Sequence, residues 1–434
     1  MPKEKTLATI IKFSLIAICS LFIFRQIFTA YFFMDDFYFL RVSQVNDLKG
    51  FINLFLPTRY VTYRPLSTFV YFFIFQKIFG LNPLPYSIFG FFIHLANSWL
   101  IYKIASRFLR NSSVAWWIAL IYVVSPLHFV GLYSIISSNF LIGFLFFLLS
   151  FWFWSELETK SKKMYYYFSL GCFILALLSS EIMMTLPILI LLLYVNKKNF
   201  INKSIKLIPF YCLIVIIFLI NYSYGVPPKS LDFKVKLDVF PSIFRWYILR
   251  AFGLPEGIRN GYSSEQKIIY ILFSLLLLII VIGIWKNKQQ IINSWGKLFK
   301  YLLWMILVPF PFYFMFNHLN PIYFSLGLLG FLLIIAIILP LRFLRIYSLI
   351  FVCLSFFSIR LLMHTHWTVK RSNLSQFWLK KVMQANPRPI NETIIINAPD
   401  EETKEELINN FQDDEALKVF YHNHNLKTIY KVSK

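Results

Sequence analysis

Apolar runs of about 20 residues recur along the chain, separated by short segments that carry most of its Lys and Arg. That is the length a helix needs to cross roughly 30 Å of hydrocarbon, and inside hydrocarbon a helix satisfies all of its own backbone polar groups. The repetition predicts an all-α polytopic membrane protein with about eleven transmembrane helices. The predicted crossings lie at about 7–32, 85–102, 113–127, 135–154, 164–179, 182–195, 206–222, 268–285, 301–316, 322–339 and 346–363. The stretch 66–79 has about 14 residues, short for a span, and reads as an interfacial or re-entrant helix. The first apolar run is too long for the core of a cleaved leader, and no small-x-small cleavage site follows it. It reads as a retained span.

Lys and Arg in short loops set the orientation of such a chain. Lys3 and Lys5 put the N-terminus in the cytoplasm. Alternation then sends the loops bearing Lys103, Arg107 and Arg110, Lys160, Lys162 and Lys163, Lys197, Lys198, Lys203 and Lys206, Lys286, Lys288, Lys297 and Lys300, and Arg342 and Arg345 to the same side. The opposite face receives a first loop at 34–84 and a long loop at 223–266. The predicted organisation is a transmembrane domain over 1–363 and a small extracytoplasmic α/β tail over 364–434. Within the tail, Thr393–Ile396 reads as a strand, Glu401–Phe411 as a helix and Leu417–Tyr421 as a second strand. No internal repeat supports an inverted-repeat transporter.

Composition removes other classes. The chain is 58% hydrophobic and 15% charged, against about 25% charged in an average soluble domain. The net charge of +23 sits mostly in short loops between apolar runs, where it sets topology and attracts anionic lipid or substrate, so nucleic acid is not an expected partner. Cys172, Cys212 and Cys353 lie inside apolar runs without metal-ligand spacing. High Lys, Ile and Phe with low Gly suggest an AT-rich bacterial genome, hence a cytoplasmic (inner) membrane.

The predicted threading brings Asp35, Asp36, Arg64, His128, Glu181 and His318 to the outer face. The adjacent pair Asp35-Asp36 reads either as a helix-capping loop or as a general base beside a helper carboxylate, since neighbouring carboxylates raise one another's pKa. Arg64, before Pro65, suits either lipid headgroups or a phosphate. Glu181, at the junction of two spans, is a carboxylate at membrane depth and reads as functional. His94, with Asn97 one turn further in, reads chiefly as an interhelical hydrogen-bonding residue. His128 and His318 are weaker single signals at helix ends. One carboxylate pair is too little to claim a metal site.

The order of these residues resembles the membrane glycosyltransferases of the C type, and within them the protein O-mannosyltransferase-like branch. The resemblance rests on Asp35-Asp36 after the first span, Tyr63-Arg64-Pro65-Leu66, His94-Leu95-x-Asn97, Ser125-Pro126-Leu127-His128 with Ser137-Ser138-Asn139, Ser180-Glu181 with Thr185-Leu186-Pro187, and Trp367 and Ala398-Pro399-Asp400 in the tail. Phe129-Val130 stands where related proteins often have a Glu, Ser180 where a Lys is usual, and His318-Leu319-Asn320-Pro321 where an Arg-Tyr element is expected. The resemblance implies transfer of a sugar from a polyprenyl-phosphate carrier to a hydroxyl of a glycan, lipid or protein on the outer side of the membrane. In that chemistry Asp35 or Asp36 is the base, Arg64, with Arg245 or Arg250, steadies the leaving phosphate, and Glu181 orients the acceptor or base. His94, His128 and His318 fall on the substrate side. Two alternatives stand beside it. One is a flippase or transporter of lipid-linked sugars, which needs polar residues through the membrane depth. The other is a polysaccharide polymerase or ligase leaning on the basic outer loop with Lys229, Lys234, Lys236, Arg245, Arg250 and Arg259.

Overall fold

A computed structural model describes residues 2–57, 63–194, 200–224, 239–257, 263–314, 318–387 and 393–433. The chain is an all-α polytopic membrane protein with a small sheet near its C-terminus. Among the described residues seven helices are long and apolar enough to cross a membrane alone: Ile10–Thr29, Pro83–Leu109, Ser138–Lys160, Phe200–Tyr224, Ser264–Lys286, Pro321–Ile338 and Leu341–Thr365. Ser112–Val124 and Pro126–Tyr133 reach that length only as a pair joined by a 43° bend, a broken span or a re-entrant loop. The bend falls at Pro126, which cannot donate to the helical ladder. The remaining predicted crossings coincide with shorter helices, Lys163–Leu177, Glu181–Tyr194 and Trp295–Leu307. Leu66–Phe79 is likewise a short apolar helix.

Helix starts follow from local chemistry. Asn82 accepts from the Leu84 N–H with Pro83 at the first helical position, Asn111 caps two N–H groups, and Ser263 with Gln266 forms a reciprocal capping box. The Ser112–Val124 and Pro321–Ile338 helices form the centre of the bundle; in the latter 83% of the apolar window is buried, against 11% in Phe200–Tyr224. The second helix therefore lies on the periphery, where a membrane protein shows its apolar side chains to lipid.

Contacts between helix ends fall into two groups. At one end, the Trp116 indole donates to the Lys12 carbonyl, Arg107 pairs with Glu156, Lys160 pairs with the same carboxylate, Lys203 pairs with Glu158, and Asn287 donates to Ile337. At the other end, Tyr31 bonds Ser372, Asp36 meets Ile136, Arg64 meets Glu181, Ser358 meets Gly253 and Arg360 meets Glu265. Each of these contacts joins helix ends that the predicted threading puts on one side. Lys197, Lys198, Lys229, Lys234, Lys236 and Arg259 lie outside the described residues.

After Leu341–Thr365 the chain turns at His366 into the helix Trp367–Ala385 and then into the sheet. Strand β1 (Thr393–Ala398) pairs in parallel with β2 (Lys427–Val432). The parallel pairing needs a crossover, and the helices Glu401–Phe411 and Glu415–Phe420 supply it. The predicted strand at Leu417–Tyr421 is therefore corrected to a helix. The alternation of Leu417 and Val419 looked like a strand face, but Ala416, Leu417 and Val419 are all buried, a stripe that a short helix presents equally well. The partner of β1 comes later, at Lys427–Val432, which is mostly exposed and so carries a weak apolar signal.

Candidate active site

The second end of the bundle carries a short helix, Asp35–Val42, directly after the first span. Its residue before the helix, Met34, has φ 53° and ψ −125°, a conformation that favours glycine and costs a side-chain-bearing residue on the order of 1–3 kcal/mol. Successive positions of the helix point about 100° apart, so the two adjacent carboxylates take different directions. Asp36 turns inward and is fully buried. Its Oδ2 accepts from the Phe33 N–H at 3.0 Å and its Oδ1 from the Ile136 N–H at 2.7 Å. Burial pushes its pKa up to about 8, against these two donors and with the neighbouring Asp35 charge adding to the rise. It ties the turn before its helix to the segment that starts Ser138–Lys160. Asp35 keeps contact with solvent although protein flanks it closely. That partial burial raises its carboxyl above the usual range, while His318 and Arg64 oppose the rise.

Arg64 precedes Pro65 and a π-helical turn, Leu66–Val70, a geometry often found at functional positions. The turn is pinned to the corner before Glu181: the Leu66 N–H donates to Leu178 and the Ser67 hydroxyl to Ser179. This pinning brings Arg64 and Glu181 into a bidentate pair, Nε to Oε2 at 2.7 Å and Nη2 to Oε1 at 2.5 Å. Both side chains are only partly buried, with 16% and 27% of their surfaces exposed. The guanidinium also lies 5.3 Å over the Phe140 ring, and Tyr323 packs on that ring from the opposite helix at 5.3 Å. His318 is exposed, its ring 6.3 Å from Tyr323. Its close surroundings and the Arg64 charge lower its pKa, while the Asp35 carboxylate opposes that fall.

Asp35, Arg64, Glu181 and His318 therefore lie within reach of one another's charges at one partly exposed patch, the mouth of the bundle at this end. Phe140 and Tyr323, which pack beside Arg64, were not singled out from the sequence. Their only cue was position, each next to a polar motif (Ser137-Ser138-Asn139 and His318 to Pro321), and aromatics are too common here to stand out: 20% of residues.

His94 and His128 form a different grouping. Both are fully buried, their rings 4.6 Å apart. The His94 Nε2 bonds the Val123 carbonyl at 2.8 Å and the His128 Nδ1 meets the Ser325 hydroxyl at 3.2 Å. Asn97, one turn on, donates to the Leu141 carbonyl. Arg245 is exposed on the helix Phe240–Ala251. Arg250 stacks 4.8 Å over Trp246 and lines a small pocket with Glu256, His366, Phe129 and Pro126. Among the described residues no group of three or more His, Cys, Asp or Glu is arranged to hold a metal ion.

Residues 64–224 match the family model described as dolichyl-phosphate-mannose-protein mannosyltransferase. The match begins at Arg64 and takes in Glu181, His94 and His128, and it bears out the resemblance drawn from the motifs. It implies membrane glycosyltransferase activity. Neither the curated proteins nor the solved structures contain a match to the chain.

Proposed function

We propose that the chain transfers a sugar from a polyprenyl-phosphate donor to an acceptor hydroxyl at the extracytoplasmic face, with inversion at the anomeric carbon. The observation that carries this reading is the meeting of Asp35 with the Arg64–Glu181 fork and His318 at one partly solvated mouth. Asp35, accessible and raised in pKa, is the base. It takes the proton of the acceptor hydroxyl as that oxygen forms its bond to the anomeric carbon, and the bond from that carbon to the phosphate oxygen breaks on the far side. The lipid phosphate leaves as an anion. Arg64 spends Nε and Nη2 on Glu181, so Nη1 is the donor it offers to that phosphate. Glu181 fixes the plane of the guanidinium. Asp36, with both oxygens on backbone N–H groups, holds the loop that bears Asp35 rather than touching substrate. The acceptor is a glycan, lipid or protein hydroxyl.

The basic surface at the opposite end of the bundle supports this orientation, with the mouth, the C-terminal sheet and its helices outside an inner membrane. A transporter is less well supported, because the mid-depth polar residues His94 and Asn97 are engaged with backbone carbonyls and do not line a path. The test is transfer of label from a pool of radiolabelled polyprenyl-phosphate sugars in membranes, comparing wild type with Asp35→Asn at matched abundance. Loss of transfer in the variant is expected. Transfer at the wild-type rate, or no donor consumed by wild type, overturns the reading.

A further inference from the structure

The strained residue that aims Asp35 does not hold itself. Met34 donates its N–H to the Asn410 carbonyl at 2.7 Å. That carbonyl belongs to the last turn of Glu401–Phe411, where helix carbonyls lack intrahelical donors, so the contact satisfies both groups. Asn410 is fully buried, and its side-chain Nδ2 donates to the Arg371 carbonyl at 2.7 Å. Arg371 in turn donates from Nη1 to the Met34 Sδ and lies 5.2 Å over Trp367, which meets Phe33 edge-on. Three residues before Met34, the Tyr31 N–H bonds the Ser372 hydroxyl at 2.8 Å. Residues 31–34 are thus gripped from two sides by segments more than 330 positions away in sequence. The grip continues along the helix that follows: Arg41 pairs with Glu415, Gln44 bonds Val419, and Phe37 packs on Phe411 and Phe420.

We infer that Asn410 is a positioning residue for Asp35, the hinge of a clamp by which the C-terminal cap keeps Met34 in its left-handed conformation and the carboxylate at the mouth. The inference rests on the assignment of Asp35 as the base. Without the clamp, Met34 relaxes to an ordinary extended conformation and rotates the first turn of its helix. A displacement of about 1 Å at a reacting group lowers the rate by about a hundredfold. The cap is then part of the active site through the geometry of one backbone bond, and it does so without touching substrate.

The experiment compares Asn410→Ala, Met34→Gly and the double variant in the full-length chain, at matched membrane abundance. Asn410→Ala keeps the carbonyl that Met34 bonds but removes the Nδ2 bond that ties it to the Arg371 segment, so a fall in kcat of about ten- to a hundredfold is expected with the KM for donor unchanged, since the side chain touches no ligand. The double variant recovers most of that loss, because glycine adopts the Met34 conformation without strain. A cap that merely stabilises the fold lowers abundance and is not rescued by Met34→Gly. Hydrogen exchange over residues 31–36 reports the clamp independently of turnover and rises in Asn410→Ala. If Asn410→Ala fails to accumulate, Arg371→Gln removes the other leg of the clamp with the same expectations. Wild-type kcat in the folded variants, or a loss that Met34→Gly leaves untouched, overturns the inference. If Asp35→Asn itself transfers normally, the functional reading has failed, and there is no base to position.

Discussion

Two of the polar clusters among the described residues are built in opposite ways. At the mouth, Asp35, Arg64, Glu181 and His318 come from four distant parts of the chain and answer one another's charges. Inside the bundle, His94 and His128 lie fully buried, and their hydrogen bonds go to a carbonyl and a serine of neighbouring helices. Hydrocarbon explains the contrast. Deep in the bundle an orphan carbonyl has no water to turn to, so a polar side chain there serves the backbone. Near the interface water supplies that need, and charged groups are free to face a ligand. The partner of a polar group, more than its type, separates the two jobs.

The contrast is broken most directly at Asp35. A positioned base is worth about 10²–10⁴ in rate, so Asp35→Asn is expected to reduce transfer by that factor with insertion unchanged. An equal loss in His94→Gln would erase the distinction between the clusters. Next in size is the fork. Arg64→Lys keeps the charge but loses the planar two-point geometry, and Glu181→Gln loses the ionic partner; each is expected to lower kcat/KM about ten- to a hundredfold. Lysine restoring the full rate would mean that charge alone matters at that position.

A smaller effect sharpens the electrostatics. Asp35 works as a base only when ionised, and partial burial raises its pKa. The acid limb of kcat/KM is therefore expected above the usual carboxylate range of about 4, with activity falling about tenfold per pH unit below it. His318 opposes that rise, so His318→Gln moves the limb to higher pH. A limb at the ordinary carboxylate position, unmoved in the variant, would assign the titration to another group.

Much of this was legible in the sequence, for physical reasons that differ by level. Hydropathy located the helices, because the bilayer imposes one length. The motifs named Asp35, Arg64 and Glu181. They did not reveal that Asp36 faces inward: adjacency looks the same for two carboxylates until the helix turns one of them toward the Phe33 and Ile136 N–H groups. Nor did they separate His128 from His318, since both end helices and only burial tells them apart. The pairing of Met34 with Asn410 depends on a helix-end carbonyl, a group every residue possesses, so no residue type could announce it.

His94 gives the smallest effect on rate and the cleanest control. The helix Ser112–Val124 ends at the bend before Pro126, which leaves its last carbonyls without intrahelical donors. The His94 imidazole donates from Nε2 to one of them, Val123, across the bundle. His94→Ala strands that carbonyl in a dry interior and removes a ring that packs on His128 and Tyr122. A buried acceptor left unpaired costs about 1–3 kcal/mol, so the midpoint of thermal unfolding in detergent falls while kcat per folded molecule stays near that of wild type. His94→Gln, which carries a donor on a flexible stem, recovers part of the lost stability. If His94→Ala instead kept its stability and lost turnover, the interior pair would belong to the reaction. Depth in the bundle would then be no guide to which polar residues serve the backbone and which serve the substrate.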